Sequence, residues 1–283
     1  MILSGSESQA LAAELAAETG ETLGSVSYDC FADGELLVEV PDLTGERAVV
    51  VTATASSEAH IELLQLQDAA REAGAEEVIT VLPYMGYARQ DEAFKLGHPI
   101  SARAVAKAVS TGTDRVLTVN PHEPDITEFF DVPAEAVDAA PRLAEPLPAL
   151  TDPVFLAPDE GATDIVGSVR DAYGGGETDH FVKERDYDSG DVSIHPNDTD
   201  VSGRDVVVVD DIIATGSTMS ESISVLREAE PARVFVACVH PLLAANARTK
   251  LARAGVEAVY GTDTLDRSVS EVTVAPALAA ALD

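Results

Sequence analysis

Short apolar, β-branched runs alternate along this chain with stretches whose apolar residues recur every three or four positions. ILSG (2–5) predicts a strand, and SESQALAAELAAETG after it predicts a helix capped by Ser6 and stopped at Gly20. ELLVEV (35–40) and RAVVVTATA (47–55) predict strands, and residues 58–73 predict a helix ended by Gly74. A strand over 76–84, a helix over 99–112 and a strand over 114–122 follow. Alternation of this kind makes a mainly parallel sheet flanked by helices.

Pro133, Pro141, Pro146, Pro148 and Pro153 interrupt the pattern between Val132 and Pro153, which predicts a crossover between domains. The pattern then restarts. Strands are expected over 153–158, 180–185, 191–196, 204–211, 232–241 and 256–263, and helices over 163–173, 217–229 and 244–254. The two halves have similar length and element order. The expectation is therefore two related α/β domains, 1–140 and 141–283.

Composition narrows the class. Of 283 residues 46% are hydrophobic, enough for packed cores and too many for a disordered chain. Fifty acidic and 18 basic residues give a net charge of −32. A field of that sign repels nucleic acid backbones and anionic membranes. The charge is spread along the chain, which points to an acidic surface adapted to concentrated salt and to a halophilic source. The lysines are only Lys95, Lys107, Lys183 and Lys250, so the position of each cation carries information. Cys30 and Cys238 lie among apolar neighbours with no zinc spacing, and are expected to be reduced core thiols. The N-terminus lacks a basic signal-peptide region and no apolar run approaches the ~20 residues of a membrane span, so a cytoplasmic location is expected.

The unusual polar residues follow strands. They are PYMGYARQD (83–91), NPHE (120–123), APDEG (157–161) and DDIIATGST (210–218). Ligands of open α/β sheets sit beyond the carboxyl ends of the strands, so these segments point to one composite site. RDVVVVDDIIATGSTM (204–219) is the most informative string. Its valines make a buried strand that ends in Asp210 and Asp211. The loop Ala214, Thr215, Gly216, Ser217, Thr218 then opens a helix, where backbone N–H groups, hydroxyls and the helix dipole favour an anion. A sugar phosphate fits the loop, and the carboxylates suit sugar hydroxyls. A short DxxxTG segment by itself is more often an ordinary capped turn; the whole string is much more specific.

That string resembles the phosphoribosyl pyrophosphate-binding motif of type I phosphoribosyltransferases and of ribose-phosphate pyrophosphokinases. Further segments are similar to the pyrophosphokinase family in order: FADGE (31–35), LPYMGYARQD (82–91), PISAR (99–103), VLTVNPH (116–122), EFFDVP (128–133), APDEG (157–161), VKER (182–185) and VHP (239–241). The resemblance runs collinearly over nearly the whole chain. It implies two phosphoribosyltransferase-like domains, the first for nucleotide and the second for ribose phosphate. It implies transfer of the diphosphoryl group of ATP to the 1-hydroxyl of ribose 5-phosphate.

By the same resemblance Phe31, Asp33, Glu35, Arg89, Gln90, Asp91 and His122 would contact ATP. Asp210, Asp211, Ala214, Thr215, Gly216, Ser217 and Thr218 would hold ribose 5-phosphate. His122 and Asp159 would bind Mg²⁺, and Lys183 and Arg185 would stabilise the transition state. The segment Tyr187–Pro196 would close as a lid. A homo-oligomer without nucleic acid or membrane partners is expected. Departures from the family pattern are Ala214 and Ser217 in the sugar-phosphate loop, Asn120-Pro121 before His122, and no basic run over 92–97. The last weakens the case for phosphate activation and nucleotide feedback. The alternatives are a catalytically silent paralogue of the same fold and a phosphoribosyltransferase.

Overall fold

The structure, a computed structural model, describes residues 1–185 and 192–282, and of 183–185 and 192–194 the backbone alone. The chain divides into two compact units. One comprises Met1–Asp138, Asp263–Asp266 and Thr273–Asp283; the other comprises Ala139–Thr262 and Arg267–Val272. Packing thus groups the C-terminal residues with the first half, unlike a linear division at 140/141.

The first unit contains β1 (Ile2–Ser4), α1 (Gln9–Thr19), β2 (Ser27–Cys30), β3 (Leu36–Glu39), β4 (Arg47–Val51), α2 (Ser57–Glu72), β5 (Glu77–Leu82), α3 (Ser101–Val109), β6 (Arg115–Val119) and β7 (Ala134–Val137). Five strands pair in parallel in the order β1-β4-β5-β6-β7. Leu3, Val50, Val78 and Val116 alternate onto one face and bury against Leu63 and Leu66 of α2 and Ala102 and Ala106 of α3. Each fully buried aliphatic side chain contributes about 1.5–3 kcal/mol. Ser56 caps α2 by accepting from Ala59 N at 3.1 Å.

Some expectations give way here. Ser6 does not cap α1; its backbone N donates to Glu62 Oε1 at 2.7 Å. Ser8 stands at the N-cap, and its hydroxyl accepts instead from Ala53 N at 2.8 Å, tying the helix entry to the sheet. β2, not foreseen, pairs antiparallel with β3 as a separate two-stranded hairpin. That hairpin leaves Cys30 exposed rather than in a core, because a two-stranded ribbon has one face in water. β7 lies inside the proline-rich stretch expected to be a crossover. Proline is tolerated beside it because β7 is an edge strand.

The second unit contains β8 (Val154–Ala157), α4 (Thr163–Tyr173), β9 (Glu177–Arg185), β10 (Val192–Pro196), β11 (Asp205–Ile212), α5 (Ser217–Leu226), β12 (Arg233–His240), α6 (Ala247–Arg253), β13 (Ala258–Thr262) and β14 (Ser270–Val272). The sheet order is β10-β9-β8-β11-β12-β13-β14, parallel except for the β9–β10 pair. Val206, Val207, Val208 and Val209 are wholly buried, as expected of a central strand. From β8 the chain moves outward through α4 to β9, and from β11 it moves the opposite way through α5 to β12. The order therefore reverses at the β8/β11 boundary, the place where a crevice opens at the strand ends. The last helix, α7 (Ala275–Leu282), packs on α1 in the first unit.

Candidate functional site

In the second unit the carboxyl ends of β8 and β11 deliver Asp159, Asp210 and Asp211 to the switch-point crevice. Asp210 Oδ1 accepts from Asp211 N at 2.9 Å, and Asp211 Oδ1 accepts from Ile212 N at 2.8 Å. Burial holds the Asp210 carboxyl well above the ordinary carboxylate range, and repulsion from Asp211 and Asp159 pushes it the same way. Such a group gains from a cation or from hydroxyl donors placed beside it. Cys238, opposite Asp210 in register, is fully buried, and its thiol is also pushed up by burial and by Asp210. It is an inert core thiol.

The loop after β11 is held from outside the motif. Leu243 N donates to Ile213 O at 2.8 Å, and Ala244 N donates to Ala214 O at 2.9 Å. Gly216 has φ +66°, and a Cβ there would meet Ala247 at 3.3 Å, so both backbone geometry and space favour glycine. Thr215 Oγ1 and Ser217 Oγ lie 3.3 Å apart, and Thr218 is exposed. The backbone N–H groups of Thr215 to Thr218 have no acceptor among the described residues. Converging N–H groups at the start of a ten-residue helix, with hydroxyls among them, form an anion cradle.

Sequence reasoning missed Lys250. Its Nζ donates to Ser217 Oγ at 2.6 Å and to Thr215 O at 3.2 Å, from one turn into α6. The only signal in the sequence was the scarcity of lysine, since no motif surrounds position 250.

In the first unit, the ends of β4, β5 and β6 carry residues 52–56, 83–91 and 120–123 along one edge of a parallel sheet. Tyr87 adopts φ +64°, its hydroxyl lies 2.9 Å from Ser57 Oγ, and its ring stacks obliquely on His60 with centroids 5.4 Å apart. Burial lowers the His60 pKa, so the ring is neutral near pH 7. Arg89 is exposed and makes no ion pair among the described residues. Gln90 is engaged locally: its Oε1 accepts from Ser101 Oγ at 2.6 Å and its Nε2 donates to Pro99 O at 3.2 Å, fixing the entry to α3. Asp91 is half-buried and His122 exposed. Asn120 has φ +32° and its amide donates to Asp138 Oδ1 at 2.8 Å.

The turn Phe31–Glu35 joins β2 to β3, with Asp33 Oδ1 accepting from Glu35 N at 3.3 Å and the Phe31 ring exposed. Gln65 of α2 pins this hairpin by accepting from Val38 N and donating to Leu36 O. An open pocket of about 610 Å³ lies between the turn and α2, lined by Gly34, Glu35, Leu36, Ser57, Ile61 and Gln65 among others. Ser57 belongs both to this pocket and to the Tyr87 contact, so the turn, the start of α2 and the segment after β5 are contiguous.

Lys183 and Arg185 lie on β9 two positions apart, opposite Ile194 and Val192 of β10. Their side chains lie outside the described residues, as do residues 187–191 of the lid expected over Tyr187–Pro196. His122 belongs to the first unit and Asp159 to the second. Among the described residues no three or more His, Cys, Asp or Glu side chains are grouped to hold a metal ion.

The profile of the N-terminal domain of ribose phosphate pyrophosphokinase matches residues 1–112, and that of the phosphoribosyl transferase domain matches residues 137–275. A ribose-phosphate pyrophosphokinase of Halobacterium salinarum is 69% identical, with 100% of each chain covered. One of Methanopyrus kandleri is 42% identical, covering 100% of this chain and 98% of its own. The crystal structure of phosphoribosylpyrophosphate synthetase from Mycobacterium smegmatis superposes with a TM-score of 0.82 at 27% identity, covering 100% of this chain and 97% of that one.

Proposed function

This chain belongs to the ribose-phosphate pyrophosphokinase family, and from that premise we propose how its residues transfer the diphosphoryl group of ATP to ribose 5-phosphate, yielding phosphoribosyl pyrophosphate and AMP. The observation that carries the reading is the end of β11. A pair of carboxylates there is followed directly by a pinned loop whose backbone N–H groups, over Thr215 to Thr218, have no acceptor among the described residues.

The 5-phosphate sits in the loop Ala214–Thr218, against N–H groups and hydroxyls. Asp210 and Asp211 accept from the ribose 2- and 3-hydroxyls and orient the 1-hydroxyl. Adenine lies in the pocket beside Phe31, Asp33 and Glu35, where the ring can stack and the carboxylates accept from the amino group. Arg89, free of competing carboxylates among the described residues, serves the polyphosphate, with Gln90 and Asp91 shaping its segment and His122 beside it.

The 1-hydroxyl oxygen attacks the β-phosphorus, the bond from that phosphorus to the α-phosphate oxygen breaks, and AMP leaves. The hydroxyl proton passes to solvent or to a phosphate oxygen. Such a transition state gains mostly from positioning and from cations. Lys183 and Arg185, at i and i+2 on a strand, are the residues proposed to supply positive charge there.

The Asp159 carboxylate suits Mg²⁺, a hard cation that takes oxygen ligands. Asp159 would offer it that oxygen in the second unit and His122 an imidazole nitrogen in the first, with phosphates and water as the other ligands. When bound it would neutralise charge on the phosphate oxygens. The raised pKa of Asp210, with Asp159 contributing, marks a place short of positive charge.

A homo-oligomer, a cytoplasmic location and a surface suited to concentrated salt are parts of the same proposal. Phe31, Ile61, Phe94 and Leu96 are large apolar side chains left exposed. No helix among the described residues is long and apolar enough to cross a membrane. The net charge of −32 supports the salt adaptation.

The purified chain, given ATP, Mg²⁺ and ribose 5-phosphate, is expected to form AMP in step with loss of the sugar phosphate. AMP formed equally without the sugar, or ADP formed with it, would contradict the reading.

A further inference from the structure

We propose that Lys250 is the specificity-determining cation for the sugar's 5-phosphate; the inference rests on the placement of ribose 5-phosphate in the 214–218 loop. Lys250 stands some thirty residues beyond the loop in sequence and reaches it through the fold. Leu243 and Ala244 bond the backbone of Ile213 and Ala214, and α6 then brings the ammonium onto Ser217.

The charge environment of Lys250 sets it apart. The chain has 50 carboxylate side chains against 18 cationic ones. Arg47, Arg71, Arg115, Arg204 and Arg233 each pair with a carboxylate. Lys250 pairs with none among the described residues and donates only to a neutral hydroxyl and a carbonyl, although it is half-buried. An ammonium in that position carries three N–H donors. Two are used, on atoms of the very loop whose N–H groups have no acceptor among the described residues. A phosphate dianion arriving there meets a full positive charge in addition to dipoles.

Lys250 in turn fixes the Ser217 hydroxyl. With Nζ donating to Oγ, the Ser217 hydroxyl keeps its own proton to donate, to Thr215 Oγ1 at 3.3 Å or to an anion that enters the loop. Nitrogen and oxygen donors thus converge on one point from α5 and from α6. This explains how the loop recognises a dianion with no basic residue of its own between 210 and 218. It also predicts discrimination. A ribose lacking the 5-phosphate, or a sugar with a neutral group at that position, loses the charge–charge interaction and is held only by dipoles, and a monoanionic group keeps a weaker one than the dianion.

The test compares Lys250→Met, Lys250→Gln and Lys250→Arg with the parent chain, at one fixed salt concentration. Readouts are KM for ribose 5-phosphate, KM for ATP, thermal midpoint, and direct calorimetric binding of ribose 5-phosphate. Removing a charge-assisted contact is expected to raise KM and Kd for ribose 5-phosphate by ~10-fold or more. KM for ATP should change less than ~2-fold and Arg should restore most of the loss. The parent's dependence of KM for ribose 5-phosphate on added salt should flatten in the Met variant.

Unchanged KM and Kd for ribose 5-phosphate in both neutral variants overturn the inference. So does an equal loss for both substrates accompanied by a lower thermal midpoint, since that describes a loop staple only. A parent chain that forms no AMP from ATP and ribose 5-phosphate fails the proposed function itself, a result the parent control distinguishes before any variant is read.

Discussion

Gly86 lies so close to the backbone of Thr54 that a Cβ at 86 would sit 2.0 Å from the Thr54 carbonyl oxygen and 3.0 Å from His60 Nε2. Gly86 N also donates to Thr54 Oγ1 at 3.0 Å, and Thr54 N to Tyr84 O at 2.9 Å. The segments after β4 and β5 are thereby clamped together, and Tyr87 and Arg89 follow from the clamp.

Gly86→Ala is therefore expected to destabilise the protein by about 1–3 kcal/mol, the usual range for forcing atoms into a packed place. It should also raise KM for ATP, because Tyr87 and Arg89 move with the backbone. Denaturant unfolding and initial-rate kinetics check both. A variant of parental stability would mean the clamp yields freely.

Asp210 gives a second prediction, with a definite sign. Its folded pKa is raised, so between the unfolded value near 3.8 and the folded value the native state binds the extra proton. Stability in the absence of cation and substrate therefore falls as pH rises through that window. Asp210→Asn should melt higher near pH 7, by about 2–4 °C per kcal/mol relieved, with a flatter pH dependence. Its ribose 5-phosphate-dependent turnover should drop ~10²-fold or more, as expected when a site's strain is removed with its function.

Asp205 shows the opposite sign. It is buried, accepts from Thr151 N at 2.6 Å and pairs with Arg233, and the guanidinium is the main reason its pKa is lowered. Its contribution is present above the unfolded value near 3.8 and disappears as pH falls through the folded value. Asp205→Asn should cost about 1–3 kcal/mol at pH 7. The gap to the parent should close as the pH drops below about 4. Thermal melts across pH 3–8 check it, and a gap independent of pH would contradict the charge as cause.

Lys183→Ala and Arg185→Ala should each lower kcat by ~10²-fold or more with smaller changes in either KM, the mark of a contact made in the transition state. Steady-state kinetics decide. A variant with near-normal turnover removes that residue from the mechanism.

Much of this was legible in the sequence because local chemistry and periodicity agree there. The run Val206–Val209 could only be a central strand, and the Asp-Asp and Thr-Gly-Ser-Thr after it stand at its carboxyl end as expected. β2 was not legible, since SYDC has one half-buried and three exposed residues and no apolar alternation. The capping role of Ser8 was lost to a longer-range bond, because Ala53 N competes for its hydroxyl. The C-terminal helix was not expected to pack on α1, a long-range contact that no local pattern encodes. Lys250 was invisible for the same reason: its meaning arises only when α6 folds back on the 213–217 loop. Gln90 was expected to contact ATP, and only the fold shows that its amide also bonds Ser101 and Pro99.

The most direct measurement follows phosphorus label. With ATP labelled separately at the α-, β- and γ-phosphates, and with ribose 5-phosphate and Mg²⁺ present, attack at the β-phosphorus sends β- and γ-label together into the sugar product and leaves α-label in AMP. Transfer of γ-label alone with release of ADP, or release of label that does not require the sugar, would contradict the account.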